Sequence, residues 1–174
     1  MTSVAPTAAE RRAPLPGDDL VDPAAVVMDR AFDLPAPPAA VWPWLVQLGK
    51  RRAGWYLPRS VERVLPRSRR ALRYVEPDLQ RHAVGDVIPD WGGATATFTV
   101  AAIEPARTLV YTSTRGRTDL TWVLSLREAP GGSRLHLRLR LGPVEHRRVA
   151  EVGGGFFDWL TVRGLASGLV ERVR

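Results

Sequence analysis

The chain has 174 residues, 45% of them hydrophobic, which suits one compact domain, and it contains no cysteine, which excludes disulfides, thiolate metal sites and cysteine nucleophiles. The formal net charge is +7, but Lys50 is the only lysine and no recognised nucleic-acid motif is present. The arginine content is therefore better explained by coding bias in a GC-rich genome than by nucleic-acid binding, and we expect no nucleic-acid partner.

The first 22 residues are rich in Pro and Ala and show no hydrophobic periodicity. Such a composition buries too little surface to order a chain, so we expect residues 1–22 to be a mobile tail and residues 23–174 to form a single domain. The chain shows neither the apolar centre of a signal peptide nor an apolar run near the roughly 20 residues that span a membrane. The sequence predicts a cytoplasmic protein without membrane insertion.

A first strand is predicted from about Val26 to Leu34, and a helix follows it. Four apolar residues recur at the i, i+3, i+4, i+7 spacing of one helical face, namely Val41, Trp44, Leu45 and Leu48. Gly49 then ends the helix. Trp55 and Tyr56 close the R-A-G-W-Y segment that comes next.

Strand periodicity is clearest in the second half of the chain. Strands are predicted over residues 96–103 and 108–114, and two longer ones follow, in which leucines and Trp122 alternate with polar residues. The glycines of residues 129–133 suit a tight hairpin between the two longer strands. The leucine-rich faces should therefore lie side by side on one surface, with the arginines of residues 134–140 on the other.

The final segment, Gly155 to Val173, carries apolar residues at three- and four-residue steps and is predicted to be a helix that covers the sheet. Gly164 and Gly168 lie in its interior, where each glycine costs up to about 1 kcal/mol relative to alanine. Two explanations stay open: close packing against a strand or another subunit, or space left for a ligand.

Several segments together resemble bacterial members of the SRPBCC superfamily, the polyketide-cyclase and START-like group. They are residues 41–56, Glu62 in S-V-E-R-V, Gln80 and Gly85-Asp86 in Q-R-H-A-V-G-D, and I-E-P-A-R-T-L-V-Y. The resemblance covers about residues 26–174, and R-A-G-W-Y is its most specific piece. It implies an α+β helix-grip fold, in which a curved antiparallel sheet of about six or seven strands wraps around a long C-terminal helix. Two short helices would follow the first strand, and an apolar cavity would lie inside.

This resemblance implies a ligand-binding cavity and favours the ligand explanation for Gly164 and Gly168. The candidate lining residues are Trp55, Trp91, Phe98, Tyr111, Trp122, Leu124, Phe157, Leu160, Gly164 and Gly168. Trp91 lies in the turn I-P-D-W-G-G, and we expect it at the cavity mouth. Asp158 either projects into the cavity or, as we favour, begins the last helix as a negative charge near its N-terminus.

Four polar residues are candidates for catalysis. The phenol of Tyr56 and the guanidinium of Arg52 could donate hydrogen bonds to an enolate oxygen. Glu62 or Asp90 would remove a proton from the ligand. Each has a structural alternative. The Tyr56 phenol could bond to backbone, Arg52 could pair with Glu62 or Asp86, and Glu62 could be a surface residue.

Neither a metal nor a cofactor is expected. The three histidines, His82, His136 and His146, lack metal-ligand spacing, and the chain has no Gly-rich phosphate loop and no Ser-His-Asp order. The leading hypothesis is a monomer or homodimer that binds a small apolar metabolite, and that, if it is an enzyme, cyclises or dehydrates a polyketide. The competing hypotheses are a non-catalytic carrier or sensor and a protein-interaction module.

Overall fold

A computed structural model describes residues 3–145, 148 and 150–174. The described residues form one antiparallel sheet of six strands in the order β1-β6-β5-β4-β3-β2. The strands are β1 (Val26–Leu34), β2 (Val87–Pro89), β3 (Thr97–Glu104), β4 (Thr108–Arg115), β5 (Thr118–Ala129) and β6 (Gly132–Gly142). The α-helices are α1 (Ala8–Arg12), α2 (Pro38–Gln47), α3 (Arg59–Glu62) and α4 (Gly155–Val173). Short 3-10 turns span Asp18–Leu20, Arg67–Arg69 and Pro77–Leu79, and a π-helical turn, Ala150–Gly154, leads into α4.

The helix-grip fold implied by the resemblance to the SRPBCC superfamily is confirmed. The long helix α4 packs on the inner face of the sheet and buries Val162, Leu165 and Leu169 in the common core. The predicted first strand matches β1, and the two middle strands begin and end within one residue of their predicted bounds. Strand β2 is the one the sequence pattern did not indicate, because its three residues are too few for a periodic signal. No helix in the described part of the chain is long and apolar enough to cross a membrane.

The predicted pairing of the two leucine-rich strands is also confirmed. Opposite each other on the inner face lie Leu120 and Leu141, Trp122 and Leu139, and Leu124 and Leu137. The side-chain period of two puts all of these on one surface. The hairpin turn between Ala129 and Gly132 fixes that register.

The outer face of β1 and β6, on which the sequence pattern places the arginines of residues 134–140, is covered. Arg138 of β6 is only 3% exposed. Its guanidinium donates to Asp29 on β1 at 2.8 Å, to the carbonyl oxygens of Glu10 and Ala13, and to Asp18. The partners other than Asp29 all belong to residues 3–22, which run across this face.

Residues 3–22 are therefore packed in the structure, where the composition predicts a mobile tail. Thr7 caps α1 in a capping box with Glu10, and Val4 is buried against the sheet. Glu10 accepts a hydrogen bond from Arg134 of β6 at 2.9 Å, and this bond holds the pKa of the carboxyl well below its usual range. We call residues 3–22 the N-terminal strap. The composition missed it because many of its anchors are long-range ion pairs, which leave no periodic apolar pattern in the sequence.

The two glycines of α4 mark a close approach and not an open volume. A Cβ on Gly168 would lie 2.6 Å from the carbonyl carbon of Tyr56, and one on Gly164 would lie 2.7 Å from the side chain of Leu57. The helix thus rests directly on the backbone of residues 56–57. The ligand explanation favoured by the resemblance is wrong for both positions, and close packing accounts for them.

We expect Gly168→Ala to lower the free energy of unfolding by about 1–3 kcal/mol, because the added methyl overlaps backbone atoms that cannot move aside. Gly155→Ala in the same helix is the matched control, since no heavy atom lies within 4 Å of its Cβ position. The control should be neutral or slightly stabilising. Urea unfolding of both variants measures the difference, and equal stabilities would contradict the close approach.

We expect Glu10→Gln to loosen the N-terminal strap, because it removes the carboxylate that pairs with Arg134 and leaves that half-buried guanidinium with one partner fewer. Trypsin should then cleave after Arg11 and Arg12 faster than in the unchanged chain, with a loss of about 1–3 kcal/mol in unfolding free energy. Asp19→Asn, an exposed carboxylate of the same strap, is the charge-matched control. A strap that is cleaved equally fast in all three proteins would be the mobile tail that the composition predicts.

Candidate functional site

Five of the predicted lining residues come together as one aromatic cluster on the inner face: Trp55, Trp91, Phe98, Tyr111 and Trp122. Trp122 is at its centre, with its ring centroid 5.7 Å from Tyr111, 5.8 Å from Phe98 and 6.1 Å from Trp55. Its contacts with Trp55 and Tyr111 are stacked. We refer to these five residues as the aromatic cluster.

The sheet and α4 position the cluster from two sides. Tyr111 of β4 lies directly opposite Trp122 of β5, and Phe98 is on the neighbouring strand β3. Trp55 belongs to the loop after α2, and its indole Nε1 donates to the carbonyl oxygen of Thr161 in α4 at 3.2 Å. The cluster therefore fills the space between the sheet and the helix.

Trp91 is the member of the cluster that solvent reaches most easily. Its side chain is 50% exposed, and it meets Trp55 edge to face at 5.8 Å. Gly92 and Gly93 follow it in the loop between β2 and β3. Tyr111 is fully buried, and Phe98 nearly so. The cluster thus runs from a wet edge at Trp91 to a dry interior at Tyr111.

A charged rim borders this wet edge. The carboxylate of Asp90 forms an ion pair with Arg115 and accepts a hydrogen bond from the backbone amide of Gly92. The Arg115 guanidinium lies 5.4 Å from the centroid of Phe98, in a cation–π arrangement. Lys50 donates to the carbonyl oxygen of Asp90 at 2.8 Å. Asp90 is the candidate catalytic residue that reaches the cluster, and Arg115 neutralises its charge.

His82 forms a polar contact at the buried end of the cluster, and the sequence reasoning missed it. Its Nε2 lies 3.3 Å from the Tyr111 hydroxyl, and its Nδ1 lies 3.5 Å from a carboxylate oxygen of Asp86. Burial lowers the pKa of His82 and raises that of Tyr111. In neutral His82 one ring nitrogen accepts, so the phenol of Tyr111 can donate to Nε2. His82 and Tyr111 are 29 residues apart, so no local sequence pattern indicates their contact.

Tyr56 and Arg52 do not face the cluster. The phenol of Tyr56 is fully buried and donates to the carbonyl oxygen of Trp44 at 2.9 Å, which is the structural alternative considered for it. Burial raises its pKa. Arg52 donates to the carbonyl oxygens of Val46 and Leu79, not to Glu62 or Asp86. Both side chains fasten the loop after α2, and neither is placed to hold an enolate at the cluster.

Glu62 is neither a surface residue nor a free base. It is 4% exposed and accepts hydrogen bonds from Arg172 of α4 at 2.6 Å and from Arg73 at 2.9 Å. Removing either arginine would leave a buried carboxylate without a full set of partners, which is why such pairs are costly to break. Glu62 therefore ties α3 to the end of α4.

The remaining candidates are spread around the cluster. Leu124 is buried in the common core, whereas Phe157 and Leu160 are 67% and 52% exposed on α4. Asp158 lies in the first turn of α4 but points towards the sheet, where it is 2.9 Å from the guanidinium of Arg30 on β1. Burial raises the pKa of Asp158.

Two clefts are open on the surface of the described residues. One, of about 500 Å³, is lined by Arg115, Arg117, Thr118 and residues 143–145, and it shares Arg115 with the rim of the cluster. The other, of about 340 Å³, lies between residues 3–6 and α4. Among the described residues, no group of three or more potential metal ligands comes together, and His146 lies outside them.

Comparisons with known proteins relate this architecture to solved structures. A protein from Chromobacterium violaceum, CV1439, superposes with a TM-score of 0.55 at 14% identity over 84% of this chain and 96% of its own. A Rhodobacter sphaeroides protein gives 0.54 at 18% identity over 87% and 96%, and MLL2253 from Mesorhizobium loti gives 0.50 at 23% over 86% and 98%. No family model matches the sequence, and no curated protein matches it. These similarities establish the fold.

The depressed pKa of His82 gives a testable pH dependence. Burial holds this pKa below the unperturbed value of 6.5, so below about pH 6.5 the unfolded chain binds more protons than the folded chain. The contribution of His82 to stability is therefore complete above that pH and is lost as the pH falls. His82→Gln should show a smaller loss of unfolding free energy between about pH 7 and about pH 5 than the unchanged protein.

NMR titration of the His82 ring is the direct measurement. Asp86→Asn should lower its pKa further, because Asp86 favours the charged imidazolium. A His82 pKa at or above 6.5 would contradict the buried placement.

Proposed function

We propose that the protein binds a small, flat and largely apolar molecule at the aromatic cluster, as a carrier or sensor. The observation that supports this is the continuity of the five rings, which run from half-exposed Trp91 to buried Tyr111. Stacked and edge-to-face ring contacts contribute about 0.5–1.5 kcal/mol each beyond burial, so a planar ligand gains from several at once.

Trp91 is the side chain that would move on binding. It meets Trp55 by its edge, is half exposed, and is followed by two glycines that give the loop freedom to rotate. A ligand entering beside Arg115 would slide between Trp91 and the stacked pair of Trp55 and Trp122. Trp91 would then close over it. The apolar cavity implied by the resemblance would form in this way on binding.

The positions of the candidate catalytic residues favour ligand binding without catalysis. Tyr56, Arg52 and Glu62 are held in structural hydrogen bonds away from the cluster, and Asp90 is paired with Arg115. The mechanism in which Tyr56 and Arg52 hold an enolate oxygen therefore has no geometric support.

A cofactor-free enzyme of the cyclase or dehydratase type is the second candidate, and one contact favours it. The Tyr111 phenol and His82 Nε2 are 3.3 Å apart at the inner end of the cluster. In the tautomer whose Nε2–H donates to the phenol oxygen, the phenol hydrogen is free to pass to a bound ligand, and Nε2–H stabilises the phenolate that remains. This reading assigns the proton donor to Tyr111, with His82 and Asp86 as positioning residues.

The test is a titration with N-phenyl-1-naphthylamine, a neutral planar probe whose fluorescence rises in apolar sites. Trp91→Ala should weaken binding about fivefold or more, because it removes a ring contact worth about 1 kcal/mol. Trp91 is exposed, so its removal should leave the fold intact. Tyr74→Ala, which removes another exposed aromatic ring that makes no ring contact with the cluster among the described residues, is the matched control.

Three outcomes separate the readings. Weaker binding in Trp91→Ala alone supports the site. Equal binding in all three proteins contradicts it. The exposed apolar residues of α4 would then be the next candidate binding surface. Native mass spectrometry of the protein from its producing host then identifies the ligand, and conversion of that ligand by the unchanged protein but not by Tyr111→Phe would select the enzyme over the carrier.

A further inference from the structure

A second cleft lies on the other side of α4 and shares no lining residue with the aromatic cluster. It measures about 340 Å³, within the range of small-molecule sites, and it separates residues 3–6 of the N-terminal strap from Trp159 and Arg163 of α4. Arg11 of α1 and Arg30 of β1 complete its lining. Three arginines thus line one small volume.

The positive charge of this cleft is only partly neutralised. Arg30 is engaged: its Nε lies 2.9 Å from Asp158, and its other nitrogens donate to the carbonyl oxygens of Asp29 and Gly155. Arg11 and Arg163, by contrast, form no ion pair and no side-chain hydrogen bond with any residue that the structure describes. Two of the three lining arginines therefore have no carboxylate partner among the described residues.

The arrangement of Arg163 keeps its donors available. Its guanidinium carbon lies 5.2 Å from the centroid of the Trp159 ring, so the ring supports the guanidinium through its face. A guanidinium held in this way still presents its N–H donors in the plane, where they match the two oxygens of a carboxylate or phosphate. Trp159, Val4 and Pro6 add apolar wall to the same cleft.

We propose that this cleft binds a small metabolite bearing a carboxylate or phosphate group. Arg11 and Arg163 hold the oxyanion from opposite sides, and the carbon skeleton lies against Trp159. Such a ligand would bridge the N-terminal strap and α4, which meet the cleft from opposite sides. This inference does not depend on the proposed function at the aromatic cluster.

Isothermal titration calorimetry with phenyl phosphate and with benzoate tests the proposal. Arg11→Gln and Arg163→Gln should each weaken binding about tenfold or more, since each removes a charge-assisted hydrogen bond. Arg12→Gln is the matched control, because Arg12 is exposed, adjacent to Arg11 and equally charged but does not line the cleft. Its affinity should stay within about twofold of the unchanged protein.

A second readout reports on the strap. The bound anion should slow tryptic cleavage after position 12 in the unchanged protein and in Arg12→Lys, but not in Arg163→Gln. Binding of either compound with this pattern supports the proposal, and the tighter of the two identifies the anion. Absence of both heat and protection overturns it, and so does an equal loss of affinity in Arg12→Gln, which would reduce the effect to overall charge.

Discussion

The site depends on the close approach of α4 to the backbone of residues 56–57, which Gly164 and Gly168 permit. Adjacent residues of that loop point in opposite ways. Trp55 is tied to α4 through the carbonyl oxygen of Thr161 and stacks on Trp122, whereas Tyr56 turns into the core and bonds to Trp44. A side chain at position 168 would overlap the backbone of Tyr56 and Leu57, which directly follows Trp55 in the chain. The packing of α4 on this loop therefore places Trp55 in the aromatic cluster and Tyr56 in the core.

The features predicted from sequence are those with a local signal. The side-chain alternation of β5 and β6 fixes their leucine faces, and the same alternation brings Trp122 and Tyr111 to the inner surface. The features that were missed are pairs distant in sequence. No local sequence pattern indicates that Glu62 pairs with Arg172, which lies 110 residues later, or that the N-terminal strap binds Arg138. A buried polar residue must find its partners through the fold, so its role is readable only when the fold brings them together.

The partners of the buried arginines give the arginine content of the chain a structural explanation. Arg138, Arg134 and Arg172 are half-buried or buried and are each paired with carboxylates. A guanidinium buried without such partners would be strongly destabilising, so these residues organise the fold instead of creating a basic surface. The local excess of positive charge must then be sought residue by residue. Arg11 and Arg163 combine two properties: both line one cleft, and neither pairs with a described carboxylate.

The two proposed sites on α4 differ in charge, and this difference decides what each can accept. At the rim of the aromatic cluster, Asp90 offsets the charge of Arg115 and Lys50 keeps its own charge, so the rim is less positive than the second cleft. The aromatic rings beyond the rim would remove the hydration of an anion without offering it charged donors. In the second cleft an uncharged ligand would displace water from Arg11 and Arg163 without replacing it by an acceptor, which is unfavourable for the same reason. If both proposals hold, the difference in charge directs a neutral aromatic molecule to one side of the helix and an oxyanion to the other.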